Sequence, residues 1–223
     1  MTGLFERALG DEWDELHPEL RARYSLSSDD DASLLGSGRI DLSRSVLAYP
    51  VLWLGTADDF LFPEDGFDVP FTIRTDAFVD DAGHEALTFR RHFDTEPRRS
   101  FVDTFRWNPE RECVTNLFGS EGRVVADLYP TVEDGALRLE VGDQWLRLWD
   151  YVPLPEPLWV DAVARDWYDE GAGRHRIGAT ISNPLAGHVF GYQGVFDLER
   201  EAASEERASH PSMRSVALPR EDR

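Results

Sequence analysis

Arg91 is the residue whose type and setting most invite chemistry. It sits in the run Leu87-Thr88-Phe89-Arg90-Arg91-His92-Phe93. A period of two places Leu87, Phe89, Arg91 and Phe93 on one face of a strand. If that face looks inward, the guanidinium needs a carboxylate or the anionic end of a bound molecule, because an unpaired buried charge is costly. Asp103 offers a carboxylate, since Phe101, Asp103 and Phe105 alternate in the next apolar run. Tyr192 adds a phenolic hydroxyl. Arg91, Asp103, Phe89, Phe93, Phe101, Phe105 and Tyr192 therefore form the candidate ligand-binding set. The bland alternatives are an internal Arg–Asp pair, an outward-facing arginine and a core tyrosine with a satisfied hydroxyl.

No other pattern carries a reaction. Cys113 has no neighbouring histidine or basic cluster and reads as a small buried strand residue. The histidines at 17, 84, 92, 175, 188 and 210 lack metal-ligand spacing, and His84-Glu85 is expected to be solvated beside a turn. There is no G-x-S-x-G elbow and no P-loop. Gly191 and Gly194 read as strand positions of close packing rather than a phosphate loop. With 43 acidic residues, proposing any particular acid–base pair is empty. No catalytic residue, metal or cofactor is assigned. The seven tryptophans read as core and rim residues of a β-rich protein.

The elements that must hold this set begin with helices. Leu9, Trp13, Leu16, Leu20 and Tyr24 recur at helical spacing, divided by Gly10 and Pro18. Ser27 to Asp31 reads as a solvated loop, and Ser43 as the cap of a short helix through Tyr49. From Phe67 the period becomes two, with Phe67, Val69, Phe71, Ile73 and Thr75 on one face. Strands follow around 87–93, 101–107, 114–118, 124–131, 137–141, 145–149, 160–167, 176–182 and 188–198. Turns are expected at Asp80-Asp81-Ala82-Gly83, Glu133-Asp134-Gly135 and Gly142-Asp143. Val152 to Pro157 is a proline-rich crossing loop. The fold expected is mainly β (α+β), an antiparallel meander of about nine or ten strands forming a barrel or half-barrel, packed by short N-terminal helices. Residues 1–199 would form one globular domain, with helices in 3–54 and the β-rich part in 67–199. Residues 200–223 are expected to be a disordered charged tail.

Composition bounds the setting. Against 43 Asp and Glu stand 23 basic residues, all arginine, for a net charge of -20. That field opposes nucleic acid and anionic membrane surfaces, so no nucleic-acid partner is expected. The acidic residues are spread along the chain, the longest run being Asp29 to Asp31. An even acidity without lysine fits a salt-filled cytoplasm, where a Debye length of about 3 Å at molar salt screens surface carboxylates. Dialysing away KCl is then expected to unfold the chain, read by far-UV circular dichroism. Full structure in dilute buffer would count against a halophilic origin. The most apolar stretch, Val46 to Leu54, is far shorter than the roughly 20 residues of a membrane span. The N-terminus lacks signal-peptide character, so a soluble cytoplasmic protein is expected.

Several segments resemble the domain of unknown function 4166 family. They are Leu4-Phe5 with Leu9-Gly10, then His17-Pro18 and Leu20, and Gly36-x-Gly38 leading into the apolar helix. Asp68-Val69-Pro70, the Phe89-x-Arg91-x-Phe93 strand, Val132 to Leu137 and Gly187-x-x-x-Gly191-Tyr192-x-Gly194 continue the likeness, over about residues 3 to 199. Phe89 stands where the family more often has tryptophan, and Asp103 where a serine-bearing segment is usual. The family has no assigned activity. It occurs alone or appended to membrane proteins and to short-chain or saccharopine-type dehydrogenases. The resemblance thus implies a binding or accessory module, and the candidate set makes a small apolar or amphipathic molecule its expected ligand. A structural or partner-binding domain with a filled core is the alternative, and an enzyme of unassigned chemistry the third reading.

Overall fold

The computed structural model describes residues 2–202, 213 and 215–220. Among the residues described up to Ala202, three short α-helices, α1 (Leu4–Leu9), α2 (Pro18–Tyr24) and α3 (Tyr49–Gly55), accompany eleven strands. These are β1 (Ala32–Arg44), β2 (Gly66–Val79), β3 (Glu85–Phe93), β4 (Arg99–Asn108), β5 (Cys113–Phe118) and β6 (Val124–Glu133), followed by β7 (Ala136–Arg147), β8 (Tyr151–Pro153), β9 (Asp161–Asp169), β10 (Arg174–Asn183) and β11 (Gly187–Ala202). The spatial order is β6-β5-β4-β3-β2-β1-β11-β10-β9-β7-β8, and a β6–β7 pairing joins the two ends. All the pairings are antiparallel. Setting aside β8, which only flanks β7, the result is a closed barrel of ten strands. Closure removes the exposed edges that an open sheet of this length would present.

Two local features make that closure work. Glu133 pairs with Ala136 across Asp134-Gly135, whose φ angles of 50° and 76° suit a two-residue hairpin. The last seam is short: β7 meets β9 only from Leu137 to Glu140. Beyond that, β7 pairs with β8 over Trp145 to Arg147.

Leu4, Phe5, Leu9, Leu16, Leu20 and Tyr24 join the barrel interior in one apolar core, so the predicted helical face is the buried one. At another part of the interior, Phe62 packs on Phe93 and Phe190 at 5.0 and 5.2 Å between ring centres. Among the described residues, no helix is long and apolar enough to cross a membrane.

Several expectations are corrected. The helix predicted from Ser43 to Tyr49 is displaced: β1 runs to Arg44 and α3 begins at Tyr49, so the short helices of 3–54 flank a strand. Its alternation is masked by Gly36 and Gly38, positions where a Cβ would fall 2.5 Å from Ile73 and 2.0 Å from the Val195 carbonyl. Gly142-Asp143 is not a turn but the middle of β7, and Gly142 makes room for the Tyr129 ring. Phe67 leaves the inner face and is 85% exposed, because Asp68 takes φ 53° and breaks the alternation. Glu85 is buried rather than solvated: Ser28 N and Oγ donate to its carboxylate at 3.0 and 2.5 Å.

The tail is also corrected where it is described. β11 continues to Ala202, and buried Met213 packs with Leu117, Val125 and Trp145, joined by Val216 and Leu218. Arg106 Nη1 donates to the Met213 carbonyl, and Asn108 Nδ2 to that of Pro219 at 2.9 Å. The apolar residues of this segment are few but well spaced to cover the barrel's outside. The remainder of the expected disordered stretch lies outside the described residues.

Candidate functional site

Inward alternation on β3 brings Phe89 and Arg91 to the barrel interior, and on β4 it does the same for Phe101, Asp103 and Phe105. In the β3–β4 register Arg91 opposes Phe101 and Phe89 opposes Asp103, so Arg91 and Asp103 are diagonal neighbours on one face. Arg91 Nη1 donates to Asp103 Oδ1 at 2.8 Å, with side chains 6% and 5% exposed. The guanidinium lies over the rings of Phe89 and Phe101, at 5.6 and 5.1 Å from their centres. These faces add attraction for a cation withdrawn from water. On β5, Asn116 is diagonal to Asp103 and its Nδ2 donates to Asp103 Oδ2 at 3.5 Å.

The electrostatics follow from burial. Desolvation pulls the Arg91 guanidinium down, yet the charge and hydrogen bond of Asp103, with Tyr192 and Asp166, together outweigh it and Arg91 remains a cation. Burial pushes the Asp103 carboxyl up, against the pull of Arg91. Burial also pushes the Tyr192 phenol up to about 12, so it stays a hydroxyl at neutral pH. Among the described residues nothing hydrogen-bonds that hydroxyl.

Around these groups lies an internal cavity of ≈ 90 Å³, or ≈ 700 Å³ with the open space adjoining it. Its aromatic wall includes Phe5, Phe89, Phe101, Phe105, Phe118 and Tyr192. The opposite wall carries Ala162, Ala164 and Ala179 from β9 and β10, where larger side chains would close the space. The lining also includes Val141 and Ala162, beside the end of the short β7–β9 seam.

A second buried pair stands by the same cavity. Arg23 Nη1 donates to Asp166 Oδ2 at 2.6 Å, and the Tyr24 hydroxyl donates to the same oxygen. Asp166 lines the cavity with Tyr24. The Arg23 guanidinium is sandwiched at 5.0 Å from the rings of Tyr24 and Phe196.

Of the seven residues expected at the site, six line the cavity together. Phe93 does not: it packs against Phe62 and Phe71 in a filled part of the core. The polar members that were not expected are Asn116, Tyr24 and Asp166. Asn116 carried a signal, as the one polar residue on the face shared with Val114 and Phe118. Asp166 carried little, because its strand neighbours Ala162 and Ala164 make a weak apolar face. Cys113 sits elsewhere, its thiol pushed up to about 12 by burial and by Asp127 beside it. The described residues contain no group of three or more His, Cys, Asp or Glu arranged to hold a metal ion.

Comparison with known proteins agrees on lineage. The chain is 28% identical over 206 residues to uncharacterized protein YndH of Bacillus subtilis (strain 168), covering 91% of this chain and all of that one. A crystal structure described as a proposed thioesterase II from Thermobifida fusca YX aligns over 77% of this chain and 80% of that chain. It does so at 12% identity and a TM-score of 0.25, too low to bear on fold or function. The model for Domain of unknown function (DUF4166) matches residues 16–196, and with the barrel and its buried arginine strand in place, the chain belongs to that family.

Proposed function

We propose that this chain is a non-enzymatic module that holds a small apolar or amphipathic molecule inside its barrel. Phe89, Phe101, Phe105 and Tyr192 would form the wall, with Arg91 and Asp103 at the polar end. The observation that carries the reading is the unfilled interior beside hydrogen-bonding groups, within an otherwise continuous apolar core. Ligand sites commonly combine an apolar lining with a few placed polar groups. With a cavity volume of ≈ 90 Å³ the molecule would be small or slender. On its acidic, lysine-free composition the proposal also places the module in the cytoplasm of a salt-loving cell, without a nucleic-acid partner.

The test is native mass spectrometry of protein purified in volatile salt from its own host. A bound small molecule is expected, and its loss in an Ala164→Phe variant that still folds. A bare chain mass, together with a crystal structure showing side chains filling the interior, would overturn the reading.

A partner-binding domain is the second reading, favoured by one observation. Val46, Leu47, Val51, Trp53 and Leu54 are all more than half exposed, Val46 and Leu47 at 79% and 77%. Contiguous exposed apolar residues often mark contact surfaces. A pull-down in high salt that recovers a stoichiometric protein, lost on Val46→Ser with Leu47→Ser, would favour this reading.

A further inference from the structure

Two polar atoms at the cavity's charged end are left unused by the protein. Arg91 Nε and Asn116 Oδ1 are buried and have no hydrogen-bond partner. Both side chains line the cavity, and both are held by one carboxylate, that of Asp103. A buried donor without an acceptor, or the reverse, costs about 1–3 kcal/mol. One of each belongs to the two side chains that line the same cavity. They differ in kind: Arg91 Nε–H can only donate and Asn116 Oδ1 can only accept.

The charges argue against a simple anion. Two buried cations, Arg91 and Arg23, already meet two buried carboxylates, Asp103 and Asp166. A carboxylate ligand would be a third anion against two cations, and uncompensated charge withdrawn from water is costly. A group that is neutral, accepts once and donates once meets both unused atoms and leaves the balance intact.

We propose that the head of the bound molecule is a neutral donor–acceptor group of the carboxamide or alcohol class. This rests on the reading of the barrel as a small-molecule binder and narrows it. The head oxygen accepts from Arg91 Nε–H, and the head N–H or O–H donates to Asn116 Oδ1. The Tyr192 hydroxyl stands by as a second donor to that oxygen, and the apolar remainder lies against Phe101, Phe105 and Phe118.

The experiment compares pentanamide, pentanoate and pentane binding to the intact chain at pH 7 in its stabilising salt, by ligand-observed NMR titration. Pentanamide is expected to bind at least about tenfold more tightly than pentanoate or pentane, since only it satisfies both atoms. Asn116→Leu should remove most of the preference for pentanamide over pentane, the bond from Arg91 Nε–H alone remaining. Pentanoate binding as tightly as pentanamide, or pentane matching it in the unaltered chain, would overturn the head-group assignment and leave the binding module standing. Binding of none of the three would remove both. The comparison of probes needs no variant, so it decides the question even if Asn116→Leu fails to fold.

Discussion

Asp103→Ala is expected to lower the free energy of unfolding by about 3–5 kcal/mol, the cost of stranding a buried cation. That is a large part of the roughly 5–15 kcal/mol that holds a domain together. Arg91 cannot relieve the loss by deprotonating, since its charge persists at any pH a protein survives. It cannot swing to solvent either, being 6% exposed and bracketed by Phe89 and Phe101. The same substitution orphans the Asn116 amide, which has only the Asp103 carboxylate. The three polar groups therefore act as one unit and should be grossly non-additive. Replacing all three, as Arg91→Met, Asp103→Leu and Asn116→Leu together, removes every desolvation penalty at once. That triple variant is expected to be within about 1 kcal/mol of the unaltered chain, or more stable. Denaturant titration in constant salt measures both. An Asp103→Ala loss below about 1 kcal/mol would mean that the pair is wet, not buried.

That unit was half legible in the sequence. Period-two alternation put Arg91 and Asp103 on apolar faces of successive strands, and the antiparallel register made them diagonal neighbours. Alternation tells which face a residue uses but not what it meets across the barrel. Asn116 carries the same signature as Asp103, a lone polar group on an apolar face. Asp166 was not readable: its inward face is built of alanines, whose purpose is to leave space, and empty space has no sequence pattern. β1 was lost for a related reason. Gly36 and Gly38 sit where Ile73 and Phe196 already occupy the volume, so the residues that make the packing work erase the alternation that would reveal it.

The cavity and the ion pairs bear on one another. Filling this interior with apolar side chains would be the stable choice, since replacing buried pairs by hydrocarbon is often neutral or favourable. Two pairs are kept instead, beside a void walled by alanines. Stability alone does not account for that arrangement; the proposed recognition of one polar head would. The 46–54 segment is a separate matter, because its exposed residues lie outside this polar unit.

Acidification from pH 7 to pH 5 is expected to remove about 2 kcal/mol of stability through His175 alone. His175 lies buried on β10, its ring stacked on Phe196 at 5.5 Å and met edge-on by Tyr168. Its Nδ1 has no hydrogen-bond partner. Burial, reinforced by the nearby Arg23 charge and only partly opposed by Asp166, pushes its pKa down from 6.5 to about 4. The neutral ring is thus the form that folds. Because the folded value lies below the unfolded one, the unfolded chain takes up the proton first as pH falls. Stability is therefore full above about pH 6.5 and drains away as pH falls toward 4. Asp103, pushed up by burial, works in the opposite direction, gaining stability as it protonates. Asp30 and Asp169, held low by backbone N–H donors, act with His175 but in a lower pH range. The histidine contribution is isolated by His175→Phe, which keeps the stacking partners and cannot titrate. Urea midpoints of the two chains, compared at pH 7 and pH 5 in the same salt, should diverge, with the variant losing about 2 kcal/mol less. Parallel pH profiles would mean that His175 reaches solvent, and with it that the Arg23–Asp166 end of the barrel is open.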